Sequence, residues 1–202
     1  MSSQTAHCGE SVALDGSVTR YTYYAENTPH CPSQTAYALA VDFDLIPTDK
    51  LKNTREYFKN SILRNNCKLT VGFLGISHLA PALSKVGLDD VAFKLLEQED
   101  NPSWLYSVKN GATTIWERWN SYIAETGTFG DVSMNSFNHY SYGAIGQWFF
   151  TDILGIRPVE FGYKSFMLSP KFGGGLTYAK GSFTSPYGKI SSASVSYTHL
   201  RA

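Results

Sequence analysis

Hydrophobic residues recur at helical spacing through most of the first three quarters of the chain. The segment 35–43 is apolar on nearly every side, which predicts a helix buried between other elements. An apolar stripe with i, i+3, i+4 and i+7 spacing runs from Ile76 to Leu83, and a second stripe runs from Leu88 to Leu96. Short links between successive stripes predict paired antiparallel helices.

Proline and glycine positions predict where one of these helices begins and ends. Pro81 stands within the stripe from Ile76 to Leu83, and a proline removes a backbone hydrogen bond from a helix interior. We therefore expect this helix to begin shortly before Pro81, with residues 72–75 in a turn. Gly87 is expected to end the helix.

The spacing changes twice in the second half of the chain. Between Asn101 and Asn138 the helical period is lost, and Trp, Tyr and Asn residues gather in what we expect to be loops. A last helical stripe follows. After Pro158, glycine and proline residues separate short apolar segments, which predict antiparallel strands joined by turns. The sequence thus predicts a helical domain over residues 1–156 and a strand-containing domain over residues 157–195.

The composition excludes several classes of protein. The 202-residue chain carries 17 Lys+Arg and 17 Asp+Glu residues, so it lacks the basic surface of a general nucleic-acid binder. Charged residues make up 17% and aromatic residues 14%, which favours a packed core over disorder. No apolar run reaches the ~18 residues of a membrane-spanning helix, so we expect no membrane partner. No signal peptide is visible, and the location of the protein stays open.

The cysteine and histidine residues form no metal-site pattern. The three cysteines include no CxxC pair, and the five histidines include no HExxH motif. Neither a disulfide framework nor a structural zinc site is expected from these spacings. We therefore expect no metal and no cofactor.

The tetrapeptide Trp116-Glu117-Arg118-Trp119 carries the strongest candidate chemistry. Glu117 lies between two indoles, which partly desolvate its carboxylate, and beside a guanidinium, which favours its charged form. A carboxylate in such surroundings can act as a general base toward water. The alternative is a solvated Glu–Arg pair on a helix whose tryptophans lie in the core.

Neutral hydrogen-bonding residues follow in the next loop, where Asn135, Asn138 and His139 precede Tyr140. Rings that cover apolar faces, together with amides and an imidazole that bind hydroxyls, suit a neutral carbohydrate. A satisfied position in the core explains a lone histidine equally well. No GxSxG, phosphate-binding or dinucleotide-binding motif competes with the carbohydrate interpretation.

The runs GATTIWERWNSY and MNSFNHYSYGAIGQWFF closely resemble sequences of the bacterial α-L-rhamnosidases of glycoside hydrolase family 78. So do LTVGFLGISHLAPALSKVG, PSWLY and ILGIRP, and the resemblance extends over most of the chain. It implies a mainly α fold, in which the second half of an (α/α)6 barrel is followed by short antiparallel strands of a truncated β-sandwich domain. The implied activity is inverting hydrolysis of terminal α-L-rhamnose, with rhamnose-containing glycosides as substrates.

The resemblance also implies roles for particular residues. Glu117 occupies the position of the general base, and His139 occupies that of a histidine that contacts the rhamnose hydroxyls. The residues expected to shape the pocket are Trp116, Trp119, Asn135 and Asn138. We expect Glu117 and His139 to face one concave surface, with their side chains less than about 15 Å apart.

The family's general acid is a glutamate in an acidic motif upstream, and nothing in this chain matches that motif. We therefore expect a C-terminal piece of the enzyme that is inactive alone, with residues 196–202 as a non-native tail. Two other interpretations stay open. One is a non-catalytic carbohydrate-binding protein that keeps the aromatic pocket, and the other is a different (α/α)6-barrel glycosidase or lyase. The residues leave the oligomeric state open.

Overall fold

The architecture comes from a computed structural model, which describes residues 33–195 and the backbone of two short strands at 10–12 and 18–20. This part of the chain forms two compact units, one up to Val91 and one from Ala92 onward. The tail expected over residues 196–202 lies outside the described residues.

The described part of the first unit consists of a strand pair and a set of helices. Strands β1 (Glu10–Val12) and β2 (Val18–Arg20) pair antiparallel. The helices are α1 (Gln34–Asp42), α2 (Leu51–Leu63) and α3 (Phe73–Lys85), and α4 (Asp89–Leu96) begins in the first unit and ends in the second. Helix α1 packs against both α2 and α3. The helices that the periodicity predicted are therefore present.

The apolar segment predicted to be a buried helix is α1. Ser33 caps its first turn, because the Ser33 side-chain oxygen accepts a hydrogen bond from the N–H of Ala36 at 3.1 Å. Tyr37 and Val41 are buried. The Tyr37 ring stacks on Phe58 of α2, with 5.5 Å between the ring centroids. The apolar face of α1 thus forms part of the core of the first unit.

The prediction for the start of α3 is wrong. The helix begins at Phe73, so most of residues 72–75 belong to its first turn and do not form a separate turn. Pro81 lies inside the helix, where it removes one backbone hydrogen bond. The apolar face of α3 is buried on both sides of Pro81, and this packing outweighs the missing bond. The expected end is confirmed, because α3 stops at Lys85 and Gly87 has a φ of +70°.

The described part of the second unit combines short helices with antiparallel strand pairs. Its helices are α5 (Trp104–Lys109) and α6 (Ile145–Trp148), and α6 continues into a π-helical turn, Phe149–Ile153. Its strands are β3 (Tyr122–Ile123), β4 (Thr128–Phe129), β5 (Ile156–Pro158), β6 (Phe166–Leu168), β7 (Tyr178–Ser185) and β8 (Gly188–Val195). β3 pairs with β4, β5 with β6 and β7 with β8. The prediction of a mainly helical chain that ends in short antiparallel strands is confirmed.

A buried cluster connects the π-helical turn to the last hairpin. Leu154, Ile156 and Ile190 form its centre, and Tyr163 and Phe183 pack against it. Phe183 and Ile190 are cross-strand partners in the β7–β8 hairpin. The domain boundary predicted near Ile156 falls within this cluster, and the boundary stays a prediction.

Candidate active site

Two loop segments of the second unit run side by side and carry the two main candidate residues. The N–H of Glu117 donates to the carbonyl of Ser136 at 2.9 Å, and the N–H of His139 donates to the carbonyl of Ile115 at 2.8 Å. The structure therefore brings the backbone at Glu117 close to the backbone at His139. The separation of their side chains by less than about 15 Å stays a prediction.

The carboxylate of Glu117 is held by one backbone hydrogen bond. Glu117 is half-buried, and its Oε2 accepts from the N–H of Ser136 at 2.6 Å. A bond from an N–H to a carboxylate is charge-assisted and orients the carboxylate. Within residues 33–195, no donor reaches Oε1. One carboxylate oxygen is thus fixed by the protein, and the other can accept a proton from a water molecule.

Arg118 does not pair with Glu117. The Arg118 guanidinium lies 3.5 Å from the carboxylate of Asp131. Hydrogen bonds from the side chain and backbone of Ser133, and then the charge of Arg118, lower the pKa of Asp131 below its ordinary value. Residues 115–120 form turns and bends without a helix. The alternative of a Glu–Arg pair on a solvated helix is therefore wrong.

The two tryptophans of the tetrapeptide lie in different aromatic clusters. Trp116 is buried and meets the edge of Phe137, with 5.3 Å between the ring centroids. Trp119 is half-buried and stacks on Tyr142, with 3.7 Å between the centroids and 6° between the ring planes. Trp104 meets Trp119 edge-on at 5.7 Å. Trp116 therefore belongs to the core, whereas Trp119 keeps more of its surface exposed.

The ring of His139 is held in one orientation. His139 is half-buried, and its Nδ1 accepts a hydrogen bond from the N–H of Ser141 at 3.3 Å. The ring lies parallel to that of Tyr140, with 5.4 Å between the centroids. A neutral imidazole that accepts at Nδ1 carries its proton on Nε2.

The two candidate asparagines differ in their surroundings. The Nδ2 of Asn135 donates to the carbonyl of Ser121 at 2.9 Å, and its Oδ1 is buried without a partner among the described residues. Asn138 is exposed, and its N–H donates to the Oγ of Ser136 at 3.1 Å. The Asn135 side chain thus braces the loop, whereas the Asn138 side chain is open to solvent.

Two residues of this region, Ser136 and Tyr142, were not among the candidates that the sequence predicts. Ser136 contacts Glu117 through its backbone N–H, which every residue except proline carries, so the residue type gave no signal. Tyr142 packs on Trp119 and stands three positions after His139. That nearness in sequence was the available signal.

Three cavities of the second unit are lined by residues other than Glu117 and His139. A cavity beside Trp119 measures about 10 Å³, which is at most enough for one water molecule. Two larger cavities, of about 610 and 710 Å³, are lined mostly by residues from Phe149 onward. Neither Glu117 nor His139 lines any of the three.

No group of three or more His, Cys, Asp or Glu side chains lies close enough together to hold a metal ion in the described part of the chain. None of the helices described above is both long enough and apolar enough to cross a membrane.

The chain matches two family models of one class of glycosidase. Residues 17–153 match the bacterial alpha-L-rhamnosidase six-hairpin glycosidase domain. Residues 155–195 match the bacterial alpha-L-rhamnosidase C-terminal domain. The first match alone covers more than half of the chain, and the chain belongs to the bacterial alpha-L-rhamnosidase family.

Individual relatives agree with this assignment. The chain is 43% identical over 161 residues to an alpha-L-rhamnosidase of Formosa agariphila, which covers 80% of this chain and 17% of the relative. It is 44% identical over 158 residues to an alpha-L-rhamnosidase of Alteromonas sp. strain LOR, which covers 78% of this chain and 17% of the relative. The chain thus spans about 17% of the length of these curated relatives.

Solved structures share the fold. The crystal structure of the Streptomyces avermitilis alpha-L-rhamnosidase complexed with L-rhamnose superposes with a TM-score of 0.83 at 37% identity, over 87% of this chain and 17% of that one. The native alpha-L-rhamnosidase of Aspergillus terreus superposes with a TM-score of 0.81 at 36% identity, over 84% of this chain and 20% of that one.

Proposed function

We propose that this chain supplies the general base of an inverting α-L-rhamnosidase, an enzyme that removes terminal α-L-rhamnose from rhamnose-containing glycosides. The observation that carries the proposal is the carboxylate of Glu117, whose Oε2 is fixed by the Ser136 N–H at 2.6 Å while no donor within residues 33–195 reaches Oε1. Family membership and the rhamnose-bound relative support the substrate class.

In the proposed reaction, Glu117 accepts a proton from a water molecule as the water attacks the anomeric carbon. A second carboxylic acid protonates the glycosidic oxygen, so that the aglycone leaves as an alcohol from the opposite face of the sugar. The two carboxyl groups of an inverting pair stand roughly 6.5–9.5 Å apart, which leaves room for the water. No residue of this chain matches the acidic motif, so the general acid is a residue that this chain does not contain.

The remaining candidates hold the sugar in this proposal. His139 contacts the rhamnose hydroxyls, and the bond from the Ser141 N–H to its Nδ1 orients the ring for this contact. Trp119 provides an apolar wall, and the buried Trp116 supports the loop from the core. Asn135 and Asn138 also shape the pocket in this proposal.

We also propose a domain boundary near Ile156, with the helical domain before it and the strand-containing domain over residues 157–195. The two family models support this division, because one match ends at residue 153 and the next begins at residue 155. The change from the π-helical turn to strand β5 occurs at the same place.

The experiment that tests the general base uses a grafted enzyme. This is the Streptomyces avermitilis alpha-L-rhamnosidase in which residues 33–195 of this chain replace the matching segment. Glu117→Gly in the grafted enzyme should lower kcat by about 10²–10⁴-fold, because a positioned general base contributes that much. Added azide should restore turnover and give a rhamnosyl azide of inverted anomeric configuration, since the small anion attacks without needing a base.

The matched control for this experiment is Glu160→Gln. Glu160 is an exposed carboxylate, and its partner Lys164 lies 3.8 Å away. This control should keep the turnover of the parent grafted enzyme. Retention of most of the turnover by Glu117→Gly would overturn the assignment of the base. Failure of azide rescue, or an azide product of retained configuration, would overturn the inverting mechanism.

Binding by this chain alone tests the non-catalytic alternative. We expect L-rhamnose to perturb the NMR signals of His139 and Trp119 and the perturbation to disappear in His139→Ala. Turnover by the grafted enzyme distinguishes an enzyme from a carbohydrate-binding protein, which would bind the sugar without cleaving its glycosides.

A further inference from the structure

We propose that Tyr142 is a positioning residue, which sets where the carboxylate of Glu117 lies relative to the ring of His139. Tyr142 acts through the indole of Trp119 and does not touch the sugar itself. This inference deepens the proposed function and rests on it for the roles of Glu117 and His139.

The stack of Tyr142 on Trp119 joins the two segments that carry the candidate site residues. Trp119 stands two positions after Glu117, and Tyr142 stands three positions after His139. The two rings are nearly parallel at 6°, with 3.7 Å between their centroids, and Tyr142 is buried. A change in this stack therefore shifts one candidate segment against the other.

The same two segments are also joined on the other side of Glu117. The N–H of Glu117 donates to the carbonyl of Ser136, and the N–H of His139 donates to the carbonyl of Ile115. These hydrogen bonds hold the segments together from Ile115 to Glu117. The Tyr142 stack adds a contact at Trp119, on the C-terminal side of Glu117. Small misplacements of a reacting group lower the rate of a reaction strongly.

Both members of the stack are held by one buried residue of α5. The indole Nε1 of Trp104 donates to the carbonyl of Tyr142 at 2.9 Å, and its ring meets Trp119 edge-on at 5.7 Å. Ser103 caps the helix that carries Trp104, because its side chain accepts from the N–H of Tyr106 at 3.1 Å. The stack thus rests on a regular element, although the Glu117 segment itself contains no helix.

The ring, and not an ionised phenol, is the part of Tyr142 that positions Glu117. Burial raises the pKa of Tyr142, and the charge of Glu117 adds to that rise while the charge of Arg118 opposes it. The hydroxyl therefore stays protonated at neutral pH. These influences also mean that Tyr142 lies within electrostatic reach of Glu117.

The backbone amide of Ser136 reports directly on the position of Glu117, because its N–H donates to Oε2 at 2.6 Å. In the full ¹⁵N-labelled chain, Glu117→Gln replaces the charged acceptor with a neutral one. The shift of the Ser136 amide signal in this variant is the reference for loss of the charge-assisted bond. We expect Tyr142→Leu to produce more than half of this shift. Tyr142→Phe, which keeps the stacked ring, should leave the signal in place.

The matched control is Tyr37→Leu, which removes a buried tyrosine from a stack on Phe58 in the first unit. This control should lower stability and leave the Ser136 amide signal unchanged. An unchanged Ser136 signal in Tyr142→Leu would overturn the proposal, as would a large shift in Tyr142→Phe. If Tyr142→Leu does not fold, Trp119→Leu removes the other ring of the same stack, and an unmoved Ser136 signal in that variant has the same meaning.

Kinetics of the grafted enzyme separate this inference from the proposed function. Tyr142→Leu should lower kcat by about 10–100-fold with a smaller change in KM, and Tyr142→Phe should restore kcat to within about twofold. If the parent grafted enzyme has no rhamnosidase activity, the proposed function fails, while the Ser136 amide comparison still decides whether Tyr142 positions Glu117. If Tyr142→Leu shifts neither the amide signal nor kcat, the inference about Tyr142 fails and the proposed function stands.

Discussion

Glu117 illustrates how a loop can orient a carboxylate without a charged neighbour. The adjacent guanidinium of Arg118 lies beside Asp131, and the contact to Glu117 comes from the backbone of Ser136. A backbone donor has a fixed position once the two segments pair, so it orients the carboxylate with little loss of side-chain entropy. Arg118 is then free to brace the loop that carries Ser136.

The phenol of Tyr142 should make the folding stability of the chain depend on pH. Burial raises the pKa of this phenol above the ordinary value of 10.0, and it outweighs the charge of Arg118, which lowers the pKa, while the charge of Glu117 adds a smaller rise. In the unfolded chain the same phenol ionises near its ordinary value. Above that pH the unfolded state therefore loses a proton that the folded state keeps, and folding stability decreases as pH rises.

We expect the free energy of unfolding of the parent chain to fall more steeply above pH 10.0 than that of Tyr142→Phe. Below that pH the difference between the two proteins should be constant. Urea unfolding at a series of pH values measures this difference. Tyr178→Phe is the control, because Tyr178 is exposed, and it should leave the slope unchanged. Parallel curves for the parent chain and Tyr142→Phe would contradict the prediction.

The π-helical turn, Phe149–Ile153, shows how one buried charge organises an element. Asp152 is buried, and its carboxylate pairs with Arg157 and lies 3.3 Å from the Nζ of Lys171. The carbonyl of Asp152 accepts from the N–H of Lys171 at 2.8 Å. These bonds connect the turn to strand β5 and to the segment before the last hairpin. Because both cations remain partly exposed, the pair avoids much of the desolvation penalty of a fully buried ion pair.

Asp152→Asn should lower the free energy of unfolding by about 2 kcal/mol, because it removes charged hydrogen bonds from two cations inside the fold. Glu99→Gln is the matched control. Glu99 pairs with Lys109, and both side chains are more than half exposed, so its loss should change stability by less than about 1 kcal/mol. Urea unfolding checks both values. If the two substitutions lower the free energy of unfolding equally, the burial of Asp152 makes no difference to stability and the prediction is wrong.

The elements that periodicity predicts and those that it misses differ for physical reasons. The sequence predicts helix α1 correctly, because a segment that is apolar on nearly every side is enough to indicate a buried helix. The start of α3 does not follow from the local rule for Pro81, because packing along the whole helix outweighs one lost hydrogen bond. The role of Ser136 could not be predicted, since it depends on a backbone N–H and on the pairing of distant segments. Candidates such as Glu117 came from residue type and from motif resemblance.

At the scale of the whole molecule, the chain covers about 17% of the length of its curated relatives. Large apolar side chains lie exposed in both units: Leu74 is 80% exposed in the first, and Phe161 is fully exposed in the second. Single exposed apolar side chains of this kind are common on protein surfaces and by themselves indicate no partner.

We expect the 202-residue chain alone to hydrolyse an aryl α-L-rhamnoside no faster than buffer. The proposed reaction needs a general acid as well as a base, and protonation of the leaving group contributes about 10²–10⁴-fold. Release of the aryl alcohol measures the rate, and the grafted enzyme serves as the positive control under the same conditions. Turnover by the chain alone that Glu117→Gly abolishes would contradict this prediction, because the chain would then contain its own general acid.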